Sequence, residues 1–570
     1  MKKYNYIIVL FVLGLTGCNF LDKSPDMRTD IDTKKKVQLL LVNAYDAPNY
    51  GPIGEFSSDN MVDNNTPDAS NFSANKTPLS SMSNELFAWE DVTTETDQDS
   101  PSWVWNYCYK NIAVANQALK ACAELEKQGE DVNSEKAEAL ICRAYNHFIL
   151  ANIFCRAYRD PELSKEDLGI HYMTDIENEV NPQYERGTVA ETYEKIEKDL
   201  EEALPHISEE YYSTPKYHFN VKAAYAFAAR FYLFTRQYKK VIDCAEHVLG
   251  PTAATAAPLM FDAENCVKLG NLEQEMYAWY DAASPSNLLI QTTYSVALYH
   301  FMSDYCRYTF NRQAQDKTVD GDGPCWSSRF PGVSVWSHGQ QYGGFLSKLY
   351  EPFEYTNKEA GIGYPHSLRR EFTTGETLLC RAEAEIMLGN ISAAVADMNV
   401  WAKGYKCKKD LTNSNIQSFF RVNKNDNQQT PVLHNTDMCP AWTIDNNKLP
   451  YIWCVLHFRR IETMHDGMRW FDIKRYGIEL THAMSNGNGV DSIRLTWDDD
   501  RRAIQIPQEA ILAGQQANPR VNIGGRAGVS TPLSQSKPSG LDLYFRFQGE
   551  RNAITKESDI SENDVIMSNL

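Results

Sequence analysis

A flat aromatic ring beside carboxylates or amides can bind a polyhydroxyl compound without cutting it. The ring face stacks on C–H surfaces, and the polar groups take the hydroxyls. Several stretches of the sequence have this make-up. Trp89 precedes Glu90-Asp91, and Asp59-Asn60 lies in the Asn- and Asp-rich tract ahead of it. Further on come Trp279-Tyr280-Asp281, Trp326 between Cys325 and Ser327, and Trp336 before Ser337-His338. The candidate ligand-binding set is therefore Asp59, Asn60, Trp89, Trp279, Tyr280, Trp326 and Trp336. The competing expectation for each ring is ordinary core packing.

Catalytic chemistry has less support. HExxH, GxSxG, a Walker A loop, GxGxxG opening a helix and Cys/His zinc arrays are all missing from the sequence. Glu462, His465 and Asp472 are possible acids or bases, but Arg459, Glu462, Arg469 and Asp472 recur at helical spacing. They read better as an ion-pair lattice on one helix face. The run Asp316 to Gly323 resembles a calcium loop, but its twelfth position is Ser327 rather than Glu, so it reads as a solvated turn. No catalytic residue, metal or cofactor is assigned. A surface endoglycosidase stays a competing class, because the spacing of its two carboxylates is spatial. A helical adaptor that binds only protein is a third.

The amino terminus sets the compartment. Lys2 and Lys3 precede an apolar run from Ile7 to Leu15, too short to span a bilayer and followed at once by polar sequence. It ends in Leu15-Thr16-Gly17-Cys18, which resembles the lipobox of bacterial lipoproteins. That resemblance implies a signal peptide over residues 1–17, lipidation of Cys18 and a tether over 18–32, with lipid rather than a helix as the anchor. The net charge of −19 argues against a nucleic-acid partner. Thirteen cysteines leave an even twelve beyond Cys18, which permits disulfides. However, Cys142, Cys155, Cys244, Cys380 and Cys454 lie in apolar helical patterns, which favours buried free thiols.

The elements that must position a site are helical. Val37, Leu40, Leu41, Ala44 and Tyr45 mark a first helix with Thr33 as N-cap, and Ala137 to Ala151 carry the face of a longer one. Thr188 precedes a third, stopped at Pro205. Two helix pairs follow, over Lys222 to Leu249 with a turn near Arg236-Gln237, and over Thr377 to Trp401 broken at Gly389-Asn390. Their small-residue grammar resembles tetratricopeptide pairs. The expected fold is mainly α: a tetratricopeptide-like helix-pair scaffold over about 33–47, 103–250 and 366–480. Loop-rich, ligand-binding insertions occupy about 48–102 and 250–365. Residues 33–570 are expected to form a single domain.

These phrases fall in an order that resembles the SusD/RagB family of outer-membrane nutrient-binding lipoproteins. The resemblance runs from Cys18, Phe20-Leu21-Asp22 and Pro25, through Trp103 or Trp105 with Tyr109, Ile112, Ala115 and Asn116, to Glu138-Ala139 with Arg143-Ala144-Tyr145. It continues in Arg381-Ala382-Glu383-Ala384 and is most specific in Arg459-Arg460-Ile461-Glu462, Asp466-Gly467-Met468-Arg469-Trp470 and Asp472 to Gly477. Asp466 and Tyr476 stand where the family usually has Glu and Trp. The resemblance implies a non-catalytic glycan binder, lipid-anchored at the cell surface, that serves a SusC-like TonB-dependent outer-membrane porin. A peptide or glycopeptide ligand is the variant within that reading.

Overall fold

Thr33 accepts a hydrogen bond from the Lys36 backbone N–H and so caps α1, Lys34–Leu41. In this computed structural model the described residues are 31–66, 76–176, 184–301, 306–338, 343–421, 429–524, 526–527 and 554–556. The expected signal peptide and Cys18 lie outside them.

The scaffold consists of helices packed in sequence order. After α2, Gly51–Ser57, come the long α3, Pro101–Lys127, and α4, Asn133–Phe154. Helix α4 is buried nearly all round and packs against α3 on one side. On another it meets α5, Val189–Ala203, which opens with a reciprocal capping box between Thr188 and Glu191. Next come α6, Val221–Phe234, and α7, Tyr238–Leu249, joined by a turn in which Arg236 takes φ +61°. The middle of the chain contributes β1, Asn287–Thr293, β2, Phe353–Asn357, β3, Ile362–Pro365, and β4, Ser367–Thr373. Strands β1 and β4 pair antiparallel, with Thr292 opposite Leu368 and Thr293 opposite Ser367. Strands β2 and β3 form a hairpin with Glu354 opposite Tyr364.

The second helix pair is α8, Thr374–Leu388, and α9, Ile391–Gly404. Gly389 ends α8 at φ +90°, a left-handed cap that a side chain would disfavour. Helix α8 packs on α7 and on α10, Leu449–Glu462, which is followed by α11, Met468–Tyr476. The carboxy-terminal part adds a short antiparallel pair, Leu480–Ser485 with Val490–Leu495. The mainly-α, helix-pair expectation therefore holds. The block expected to be helical from 366 instead begins with a strand, and the tracts at 48–102 and 250–365 carry short helices and strands. All twelve described cysteines are buried and free.

The charged phrase near the carboxy terminus is a buried lattice, but it spans two helices rather than one face. Gly467, at φ +79°, separates α10 from α11. Arg459 reaches Asp472 at 3.1 Å, Arg475 reaches Asp472 at 2.7 Å, and Arg475 also grips Glu383 of α8. Among the described residues Glu462 has no ion pair with an arginine. Its carboxylate accepts from Thr373 at 2.8 Å, from the Trp401 indole at 2.9 Å and from Tyr405 at 2.8 Å. His465 is sealed between Phe301 and Phe310. The loop that resembles a calcium site is held by arginines instead, with Asp320 bound by Arg312 and Arg329 at 3.2 Å each.

Candidate ligand-binding groove

None of the seven residues picked from the sequence presents a binding face to solvent. Asp59 is chelated by Arg469 at 2.8 and 2.9 Å, with Arg460 at 3.3 Å. Burial would raise its carboxyl, but the two guanidiniums outweigh that and hold it well below the usual carboxylate range. Asn60 donates to Glu55 at 2.9 Å and accepts from Arg460 at 2.7 Å. Trp89 stacks on His482 at 4.1 Å and donates its indole N–H to the Ser57 carbonyl. Trp279 lies between Phe261 at 4.2 Å and the Arg370 guanidinium at 4.3 Å. The Tyr280 hydroxyl donates to the Lys348 carbonyl. Trp326 has His457 on one side and the backbone of Gly323 against its ring, so close that a Cβ there would sit 2.1 Å from the indole. The Trp336 N–H donates to Glu275 at 2.9 Å within an apolar cluster. These residues hold the loop-rich regions on the scaffold. In the described part of these tracts the polar–aromatic phrases close the interior.

An exposed aromatic surface lies elsewhere. Helix α3 begins with Ser100 as N-cap, which accepts from the Trp103 N–H at 3.1 Å. Trp103 and Tyr107 are one turn apart and stack on each other, with ring centroids at 4.5 Å and planes at 28°. They form one wall of a groove of about 250 Å³, whose lining also includes Asp46, Ala47, Thr292, Thr293, Tyr294, Glu354, Tyr364 and His366. The end of β1 supplies Thr292 to Tyr294, and the hairpin supplies Glu354 and Tyr364 from directly opposed positions. His366 lies in the single-residue link to β4, and its backbone N–H donates to the Pro352 carbonyl at 3.2 Å. Pairing of β1 with β4 thus ties the hairpin to the strand that leads into Tyr294. Tyr294 and Tyr364 are 46% and 41% exposed, far more than the seven buried candidates.

The polar groups suit hydroxyls. Asp46 accepts from the Lys110 ammonium at 2.6 Å, and that bond holds the ammonium above its usual pKa. Lys110 also sits over the Tyr107 ring at 5.1 Å. The His366 Nδ1 is 3.5 Å from Glu354. Burial lowers the His366 pKa against the opposing pull of Glu354, which favours the neutral imidazole, a form that can both donate and accept. The groove therefore combines four ring systems with two carboxylates, an imidazole and threonine hydroxyls. A larger depression of about 380 Å³, lined by Arg156, Asp167, Asp500 and Asn518 among others, has no aromatic ring in its lining. Among the described residues no group of three or more His, Cys, Asp or Glu is placed to hold a metal ion. The Trp103–Tyr107 ladder was visible in the sequence as two aromatics four apart behind a Ser N-cap. Sequence reasoning takes Trp103 only as an alternative to Trp105 in the family phrase and does not single out Tyr107.

Comparison with known proteins shows which family this scaffold of helix pairs belongs to. A family model described as "Starch-binding associating with outer membrane" matches residues 19–233, and the model of the SusD family matches residues 301–536. The chain belongs to the SusD/RagB family. Among solved structures it is similar to a SusD superfamily protein from Bacteroides vulgatus, with TM-score 0.56 and 17% identity over 86% of this chain and 98% of that one. A SusD superfamily protein from Bacteroides thetaiotaomicron gives TM-score 0.54 and 17% identity over 86% and 100%. A SusD-like carbohydrate binding protein from Bacteroides vulgatus gives TM-score 0.51 and 16% identity over 84% and 96%. No curated protein matches the sequence.

Proposed function

We propose that this chain is a non-catalytic glycan-binding lipoprotein of the outer-membrane surface. It captures oligosaccharide or polysaccharide and passes it to a TonB-dependent, SusC-like transporter. The groove built on the half-buried Trp103 and Tyr107 and the exposed Tyr294 and Tyr364 carries the reading: it joins ring surfaces to groups that can bind hydroxyls in one open site. Membership of the SusD/RagB family supports it, as does the fold shared with a structure described as carbohydrate binding. The expected lipid on Cys18 would supply the anchor. No helix among the described residues is long and apolar enough to cross a membrane.

The test is affinity electrophoresis of the full chain through gels containing single polysaccharides, with chromatography of the sugars after incubation. Retardation by a glycan that is lost in Trp103→Ala, with the glycan left intact, is the expected result. Released oligosaccharides would replace this reading with an endoglycosidase. Retardation that survives Trp103→Ala would move the site away from the groove.

A further inference from the structure

The charges around the groove bear on which class of glycan it takes, an inference that rests on the glycan-binding reading above. Two carboxylates line the site, Asp46 and Glu354. Lys110 is bonded to Asp46 at 2.6 Å and so offsets that one charge. Glu354 faces His366 at 3.5 Å, and burial of that imidazole works against its carrying a charge. No lysine or arginine is part of the groove lining. The chain as a whole has the same sign, with a net charge of −19. Aromatic faces reinforce the sign, because their quadrupoles attract cations and polarised C–H groups and repel anions.

We propose that the groove selects uncharged or amino-bearing glycans and rejects uronate-rich and sulfated ones. A ligand carboxylate or sulfate stacked against Trp103 and Tyr364 would meet Glu354 without a cation to pair with. A hydroxyl or an ammonium there gains a charge-assisted hydrogen bond. The repulsion acts across solvent-exposed groups, so salt screens it.

The test compares glycans of one backbone. A neutral polysaccharide retained by the full chain is oxidised at C6 to the corresponding uronate, and both forms are titrated by calorimetry in 20 mM and 500 mM NaCl. A tenfold or greater loss of affinity on oxidation, at least partly recovered in high salt and in Glu354→Gln, is the expected outcome. Asp46→Asn provides a second, exposed site for the same measurement. A loss that neither salt nor either variant recovers would assign the exclusion to shape and overturn the proposal. Tight, Trp103-dependent binding of polygalacturonate or chondroitin sulfate would also overturn it while leaving glycan capture intact. Failure to bind neutral, amino-bearing or acidic glycans would overturn both readings.

Discussion

Trp103 and Trp326 are the same residue type in similar polar surroundings of sequence, and they differ in what lies against their rings. Trp326 is covered by His457 and Gly323, whereas Trp103 shares one face with Tyr107 and borders an open groove. Trp326→Ala should therefore cost about 3–5 kcal/mol of folding free energy and lower the thermal midpoint. Trp103→Ala should leave the midpoint within about 2 °C, since a partly exposed position loses little on truncation. It should weaken glycan binding about tenfold or more, as loss of an aromatic anchor does. Melting curves and titrations of the two variants check both statements. The sequence alone could not separate them: a buried indole needs only one acceptor, and those of Trp89 and Trp326 are backbone carbonyls. A polar neighbour in sequence says little about where the ring points. Asp59 gives a second prediction. Its folded-state pKa lies below the unfolded value, so the unfolded chain binds more protons as pH falls, and the stabilisation is present above about pH 4 and lost below it. Asp59→Asn leaves Arg460 and Arg469 buried with less compensation and should cost about 3–5 kcal/mol at pH 7. The gap from the parent should narrow in melts taken between pH 4 and pH 2.

Helices α2 and α11 meet backbone to backbone. A Cβ on Gly54 would lie 2.2 Å from the Gly467 carbonyl oxygen, and neither backbone has a flexible side chain to move aside. Gly54→Ala should destabilise the fold by about 1–3 kcal/mol, read as a lower urea midpoint at an unchanged slope. The geometry of this junction was not visible in sequence, because contact between residues so far apart along the chain leaves no local mark. Local marks did disclose the helices: the caps at Thr33 and Thr188, the turn at Arg236-Gln237 and the break at Gly389 all fall where the residue types put them. Strand β4 was missed for the opposite reason. Its charged residues Arg369, Arg370 and Glu371 are all buried, so the alternation of polar and apolar residues that marks a half-buried strand is absent. Without β4 there was no way to see that the β2–β3 hairpin feeds into the strand beside β1, and so no way to bring Tyr364 to Trp103.

At the level of the assembled chain, the buried lattice and the groove divide the work. Arg230 with Glu371 and Glu376, and Arg475 with Glu383 and Asp472, tie the helix pairs and β4 into a continuous interior. The groove rests on that interior, between the first turn of α3 and the β2–β3 hairpin, and remains open to solvent. Removing a buried charge partner should therefore lower stability, whereas removing a groove ring should lower affinity. The expected tether from Cys18 would leave this arrangement free to reach ligand above a membrane. Calorimetric titration of the full chain and its Trp103→Ala variant with the polysaccharide that retards it most strongly tests the account most directly. The account predicts saturable binding to the parent, at least tenfold weaker binding to the variant, equal melting temperatures and no shortening of the glycan. Equal affinity for the two proteins, or cleavage of the glycan by the parent, would contradict it.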